Sequence, residues 1–209
     1  MVSRNRILES SDPTVSRRHL LAVTGSGCTA ALAGCADLRS RTLRDPAVDD
    51  EAHATSHTYY DGDDRVISVS LSDFSRHAAD EYRYPIRTNI WHGEGLVLES
   101  LEYTFRPDAV RTAPEFYLER PGGYPWEPIQ FSRGEDHETT VLAVPDVGFQ
   151  GQGSVGFELL LAVYDDESFD LHVDLEATFV SEGFVGREYE IEDSMVRTLP
   201  GQRALAREE

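Results

Sequence analysis

The sequence predicts an all-β domain: an antiparallel β-sandwich of immunoglobulin-like architecture with about eight or nine strands. Two observations carry this. Several segments alternate apolar and polar residues with period two, as half-buried strands do. Turn residues interrupt them at roughly 10- to 15-residue spacing, at His92-Gly93-Glu94-Gly95, Pro121-Gly122-Gly123, Asp146-Val147-Gly148 and Asp165-Asp166-Glu167. The likeness to immunoglobulins is one of architecture alone, because their Cys…Trp…Cys pattern is missing.

Taken in order, Val66 to Leu71 puts Ile67, Val69 and Leu71 on one face and serines on the other. A short helix is expected around Asp73 to Glu81. Residues 82–90 place Tyr82, Tyr84, Ile86 and Ile90 on one face, opposite Arg83, Arg87 and Asn89. Leu96 and Leu98 are followed by Leu101, Tyr103 and Phe105, a one-residue change of phase that predicts a β-bulge near Glu99-Ser100. Val155 to Tyr164 is apolar on both faces except at Glu158 and reads as a central strand. Leu171, Val173, Leu175, Ala177 and Phe179 alternate with His172, Asp174, Glu176 and Thr178, the cleanest half-buried pattern in the chain. Glu115 to Glu119, Ile129 to Ser132, Thr139 to Val144 and Arg187 to Glu192 are the weaker strand candidates.

Ahead of this domain, residues 1–34 have the parts of an export signal. Arg4, Arg6, Arg17 and Arg18 precede an apolar run from Leu20 to Ala33. That run of 14 residues is too short to span a bilayer, which takes about 20. The Arg17-Arg18 pair resembles a twin-arginine signal, which implies export of an already folded domain. Leu32-Ala33-Gly34-Cys35 resembles the lipobox of lipoproteins, which implies cleavage before Cys35 and a covalent lipid on its thiol. Two acyl chains hold a protein firmly on a membrane without any spanning helix. The expected organisation is therefore a signal peptide over 1–34, a lipid-anchored flexible tether over 35–58, a sandwich over 59–199 and a polar C-terminal tail over 200–209. The expected location is the outer face of the cytoplasmic membrane.

The chain has 38 acidic residues against 19 basic ones, and every basic residue is Arg. Beyond residue 34 the balance is 36 acidic to 15 basic, a net charge of −21. With the Ser-Arg-Arg-x-Leu-Leu signal, this Lys-free acidity resembles exported proteins of extremely halophilic archaea. At about 1 M salt the Debye length is near 3 Å, so dense surface acids hardly repel one another. In dilute buffer the same charge pushes the compact state apart. The balance also argues against nucleic acid, since no basic patch exists to displace counterions from phosphates. Cys28 falls inside the signal and Cys35 at the anchor, so the domain has no thiol for a disulfide, a blue-copper site or a thiolate metal centre.

Sites are sparse. Gly151-Gln152-Gly153-Ser154-Val155-Gly156 matches G-x-G-x-x-G, but a strand rather than a helix follows, so it reads as a loop. His53 and His57, four apart, would share a helix face suited to a metal, yet they fall in the expected tether. His92, His137 and His172 are scattered, and no pair names a base with its orienting carboxylate. Asp61, Asp63 and Asp64, and Asp165, Asp166 and Asp170, are weak candidates for Ca2+ on acidic loops, out of EF-hand register. Tyr124 and Trp126 form a candidate recognition loop, and Trp91 sits beside His92 at an expected hairpin.

These readings favour a non-enzymatic surface module with no catalytic residues, no cofactor beyond the lipid, and an unspecified protein or envelope partner. The alternative is a hydrolase of envelope material using a carboxylate pair. The acid load predicts loss of strand signal in circular dichroism on dialysis from molar to millimolar salt. A spectrum unchanged across that range would count against it.

Overall fold

A computed structural model describes residues 40–75, 82–119, 129–134, 136–147, 153–181 and 186–206, all within the unit Ser40–Glu209. The described chain is built from strands β1 (Ser40–Leu43), β2 (Ala47–Glu51), β3 (Ala54–Asp61), β4 (Asp64–Asp73), β5 (Arg83–His92) and β6 (Leu96–Asp108). They are followed by β7 (Glu115–Leu118), β8 (Gln130–Arg133), β9 (Thr140–Val144), β10 (Ser154–Ala162), β11 (Phe169–Ser181) and β12 (Glu188–Leu199). A single turn of helix, α1 (Gln202–Leu205), ends the described chain.

The strands form two six-stranded sheets. The first runs β1-β12-β11-β6-β9-β8 and the second β2-β3-β4-β5-β10-β7. Their inner faces share one apolar core. Period two decides which residues enter it. On β11, Leu171, Val173, Leu175 and Phe179 are fully buried while the intervening residues face outward. On β5, Tyr84, Ile86 and Ile90 are buried as the pattern predicts, whereas Tyr82 stays 46% exposed just before the strand. Phe105 of the first sheet meets Phe116 of the second at 5.3 Å between ring centroids. His92, also buried, puts a ring edge-on to Phe179 at 6.0 Å.

The expected bulge is present. Thr178 pairs with Ser100 and Phe179 with Leu98, so Glu99 is the extra residue of β6. This lets Leu98 and Leu101 both point inward despite their three-residue separation. β10 is an interior strand between β5 and β7, as an almost continuously apolar segment requires. The four weaker candidates all form strands. The last of them extends well past Glu192, to Leu199. The helix expected over Asp73 to Glu81 is limited by β4, which continues through Asp73, and residues 76–81 lie outside the described residues.

Two boundaries differ from expectation. Residues 40–58 do not form a tether: β1, β2 and most of β3 fall there, bringing the nine strands from β4 onward to twelve. β1 joins the first sheet and is parallel to β12, the exception in an otherwise antiparallel pair of sheets. The chain then turns at Asp45, which takes a left-handed φ of 57°, and enters the edge of the second sheet as β2. These strands lack an apolar run because β2 is an exposed edge and β3 turns Thr55, His57 and Tyr59 inward.

The C-terminal tail is the second correction. Residues 200–206 dock on the loop after β10, where the backbone N–H groups of Gln202 and Arg203 donate to the carbonyls of Asp165 (2.9 Å) and Asp166 (3.3 Å). Leu205 is buried. The approach is close at Gly201, where a Cβ would lie 2.2 Å from the Glu167 carbonyl oxygen and 2.6 Å from that of Asp166. Gly201→Ala should therefore destabilise the domain by about 2 kcal/mol. Thermal melting in molar salt reads this as a midpoint several degrees lower, and an unchanged midpoint would refute the packing role of Gly201.

Candidate functional site

Between the two sheets, β12 carries polar side chains at every second inward position, Tyr189, Asp193 and Arg197, alternating with buried Ile191, Met195 and Leu199. The segment from His53 to Asp61 faces them with residues of the same spacing, His53, His57 and Asp61. The result is three polar contacts in a row.

At one end, Asp61 accepts the Tyr189 hydroxyl at 2.8 Å and pairs with Arg41 and Arg187. The Tyr189 hydrogen bond, helped by the two guanidinium groups, holds the Asp61 carboxyl below the usual range. In the middle, His57 Nδ1 lies 2.8 Å from both oxygens of Asp193, and the two side chains are 10% and 7% exposed. Tyr59 also bonds Asp193, and burial followed by that carboxylate pushes its phenol far above the ordinary value.

At the other end, Arg197 bonds Asp73 Oδ2 through Nε (3.1 Å) and Nη2 (3.0 Å). Its remaining donors reach the Glu51 carbonyl at 2.9 Å, the Ala52 carbonyl, Thr55 Oγ1 and Asp50. Asp73 is completed by Ser75 Oγ at 2.9 Å and His53 Nδ1 at 3.2 Å. Every donor group of this buried guanidinium is thus used, the condition under which a buried charge is tolerated.

The structure therefore assembles His–carboxylate pairs that hydrophobic periodicity does not announce. His53 and His57 do share a face, but that of an extended segment, where four residues span about 13 Å rather than one helical turn. They cannot close on one ion and bind separate aspartates instead. A catalytic dyad would need substrate at the free imidazole nitrogen; His57 is only 8% exposed, sealed between sheets.

The other candidate residues are dispersed. Asp61 and Asp64 flank a two-residue hairpin turn in which Gly62 takes φ 68°, with Asp63 exposed at its tip. Asp165 accepts the backbone N–H groups of Arg111 (2.5 Å) and Thr112 (3.3 Å), Asp166 pairs with Arg203 at 3.1 Å, and Asp170 accepts Thr198 Oγ1 at 2.6 Å. These acids hold loops and partners rather than converge, and no group of three potential metal ligands occurs among the described residues. His172 stands 4.0 Å from Asp108, and His137 occupies a turn with φ 61°. Trp91 lies on the outer face of β5 under the Arg65 guanidinium, 4.3 Å from its ring centroid. Tyr124, Trp126, Cys35, Arg17, Arg18 and residues 151–152 of the glycine-rich loop lie outside the described residues.

Two surface features were not legible in the sequence. On the outer face of the first sheet, Glu192, Glu176 and Glu102 are directly opposed across β12, β11 and β6. Glu176 and Glu102 line a groove of about 320 Å³ with Ser100, Gln130 and Thr178. Acid–base chemistry needs two carboxyls in unlike environments, whereas these share one open face. The second feature surrounds Glu115 on β7. Its Oε2 accepts hydroxyls from Tyr117 and from Tyr164 (2.8 Å), and its Oε1 lies 3.6 Å from Arg133 on β8.

The comparisons with known proteins concern the sandwich. Residues 40–201 match the profile of a domain of unknown function, DUF8121. The chain belongs to that family. No curated protein sequence matches the chain. Among solved structures, the DUF8121 domain is similar to the seventh ScaB type I cohesin from Pseudobacteroides cellulosolvens, at 14% identity and a TM-score of 0.43, over 58% of this chain and 84% of that one. It is also similar to the collagen-binding domain of a Staphylococcus aureus adhesin, at 6% identity and a TM-score of 0.32, over 55% of this chain and 90% of that one. The match begins at the first strand, Ser40, so the family domain includes β1 to β3.

Removing the charge at the centre of the widest buried contact should be severe. Arg197→Met leaves Asp73 buried without its cation, and about 3–5 kcal/mol of stability should be lost. Asp73→Asn on that background should restore part of it. Denaturant melts in molar salt measure both, and a single variant as stable as the parent would exclude the role given to Arg197.

Proposed function

We propose that this chain is an exported lipoprotein that presents its DUF8121 sandwich as a non-catalytic binding module on the outer face of the cytoplasmic membrane. The observation that carries the reading is the placement of its reactive groups. The histidine–carboxylate pairs are committed to internal contacts: His57 is sealed against Asp193, and Asp73, the partner of His53, is held by Arg197 inside the core. Among the described residues, tyrosines such as Tyr60, Tyr117 and Tyr164 stay half-exposed, side chains that suit recognition.

The anchor rests on Arg17-Arg18 and on Cys35 at the end of Leu32-Ala33-Gly34-Cys35. The first strand starts at Ser40, so residues 36–39 alone separate the anchor cysteine from the folded domain. A fold without thiols suits a route that carries folded proteins, and the acid load suits brine.

Cell fractionation in high salt tests the anchor. The parent chain should sediment with membranes, and Cys35→Ser should move it to the soluble or secreted fraction. An unchanged distribution would sink the lipid anchor.

A further inference from the structure

We propose that the surface around Glu115 is a carbohydrate-binding site that takes the ring of a neutral, polyhydroxylated sugar. The site is formed by Tyr117 on β7, Tyr164 just after β10, Glu115 between them and Arg133 on β8.

Both tyrosine hydroxyls donate to one oxygen of Glu115, which fixes two otherwise free side chains against a single acceptor. The two phenol hydrogen bonds keep the Glu115 carboxyl below its ordinary range, and the same carboxylate pushes Tyr164 up to about 12. At neutral pH the acceptor is therefore charged and both donors keep their protons. The rings are half-exposed, at 48% for Tyr117 and 46% for Tyr164, although their polar tips are engaged. Rigid aromatic rings with few rotatable bonds give contact area at low entropic cost.

A sugar ring has an apolar C–H face and a rim of hydroxyls. The C–H face suits the negative face of an aromatic ring. The rim needs acceptor and donor groups side by side, and Glu115 Oε1 and Arg133 Nη2 supply them 3.6 Å apart, a spacing that neighbouring hydroxyls can bridge. A protein hot spot would instead centre on a desolvated pocket, whereas here rings and polar groups are interleaved in the open. Stacking and direct hydrogen bonds also survive molar salt, which screens charge-based attraction to within about 3 Å.

The position agrees. Glu115 pairs with Ala162 at the end of β10, and Ala162 pairs with Arg83 at the start of β5. Ser40 enters beside Glu188, at the opposite end of the sandwich. The site thus lies at the end of the sandwich away from the first strand. Tyr82, 46% exposed, is at the same end, where its carbonyl accepts the Val163 N–H at 2.8 Å.

This inference rests on the binding-module reading. Fractionation of Cys35→Ser decides the anchor whatever the outcome here, so either can fail alone. The test is affinity electrophoresis of the detergent-solubilised full chain in molar KCl through gels containing mannan, dextran or xylan. At least one polysaccharide should retard the parent. Tyr117→Ala and Tyr164→Ala should each weaken the interaction roughly tenfold, and Tyr60→Ala, an equally exposed tyrosine at the other end, should leave it unchanged. Arg133→Gln, on an exposed edge strand, should also weaken binding and covers the case in which a β7 variant fails to fold. Absence of retardation by all three polysaccharides overturns the proposal. So does parental binding by the tyrosine and arginine variants, or binding of an envelope protein at this surface in place of the glycans.

Discussion

Arg197 is the constraint to which the N-terminal third of the domain answers. Its guanidinium lies between the sheets, where an unpaired charge would cost several kcal/mol. It must therefore be met by Asp73 from β4 and by the carbonyls of the β2–β3 turn. Those partners come from sequence far away, so the charge is tolerable only if residues 47–61 close over this side of the sandwich. Asp193 imposes a similar demand on His57 and Tyr59. β3 is thus held as much by the need to satisfy charges on β12 as by apolar area.

This explains what sequence reading could and could not reach. Strand β11 was plain because its inward residues are apolar without exception, and the bulge at Glu99 showed itself as a change of phase between Leu98 and Leu101. β3 was missed because its inward residues, Thr55, His57 and Tyr59, look like those of a solvated linker. Their partners lie more than 130 positions away, at Asp193 and Arg197. The signal was present as a shared four-residue spacing of polar groups, His53-His57-Asp61 against Tyr189-Asp193-Arg197. Hydrophobic periodicity cannot see it. β12 was cut short for the same reason, because Asp193 and Arg197 interrupt its apolar alternation. The Glu115 cluster draws its residues from β7, β8 and the loop after β10, and only the sheet order and the crossing between sheets bring them together.

The same charges guard an edge. β1 covers β12 only from Glu188 to Ile191, so among the described residues the strand beyond has no ladder partner on that side. Inward-pointing charges make such an edge a poor template for another chain, since a newcomer would have to match a strand whose inner face is already committed. β2 at the edge of the second sheet is acidic and exposed, and β7 and β8 are four residues each. The edges are thus blunted by charge or by length.

How the acids are spent points the same way. Many of them pin particular structures: Asp165 holds the backbone at Arg111 and Thr112, Asp166 and Glu167 hold Arg203, and Asp61 gathers Arg41 and Arg187. Glu102, Glu176 and Glu192 do none of this, and as directly opposed like charges they weaken the sheet they stand on. That penalty is small only where salt screens it at the distance between neighbouring strands, about 4.8 Å. Such a row costs least at high ionic strength. Glu115 is placed differently: its charge is engaged by two phenols and an arginine, beside the half-exposed side chains of Tyr117 and Tyr164.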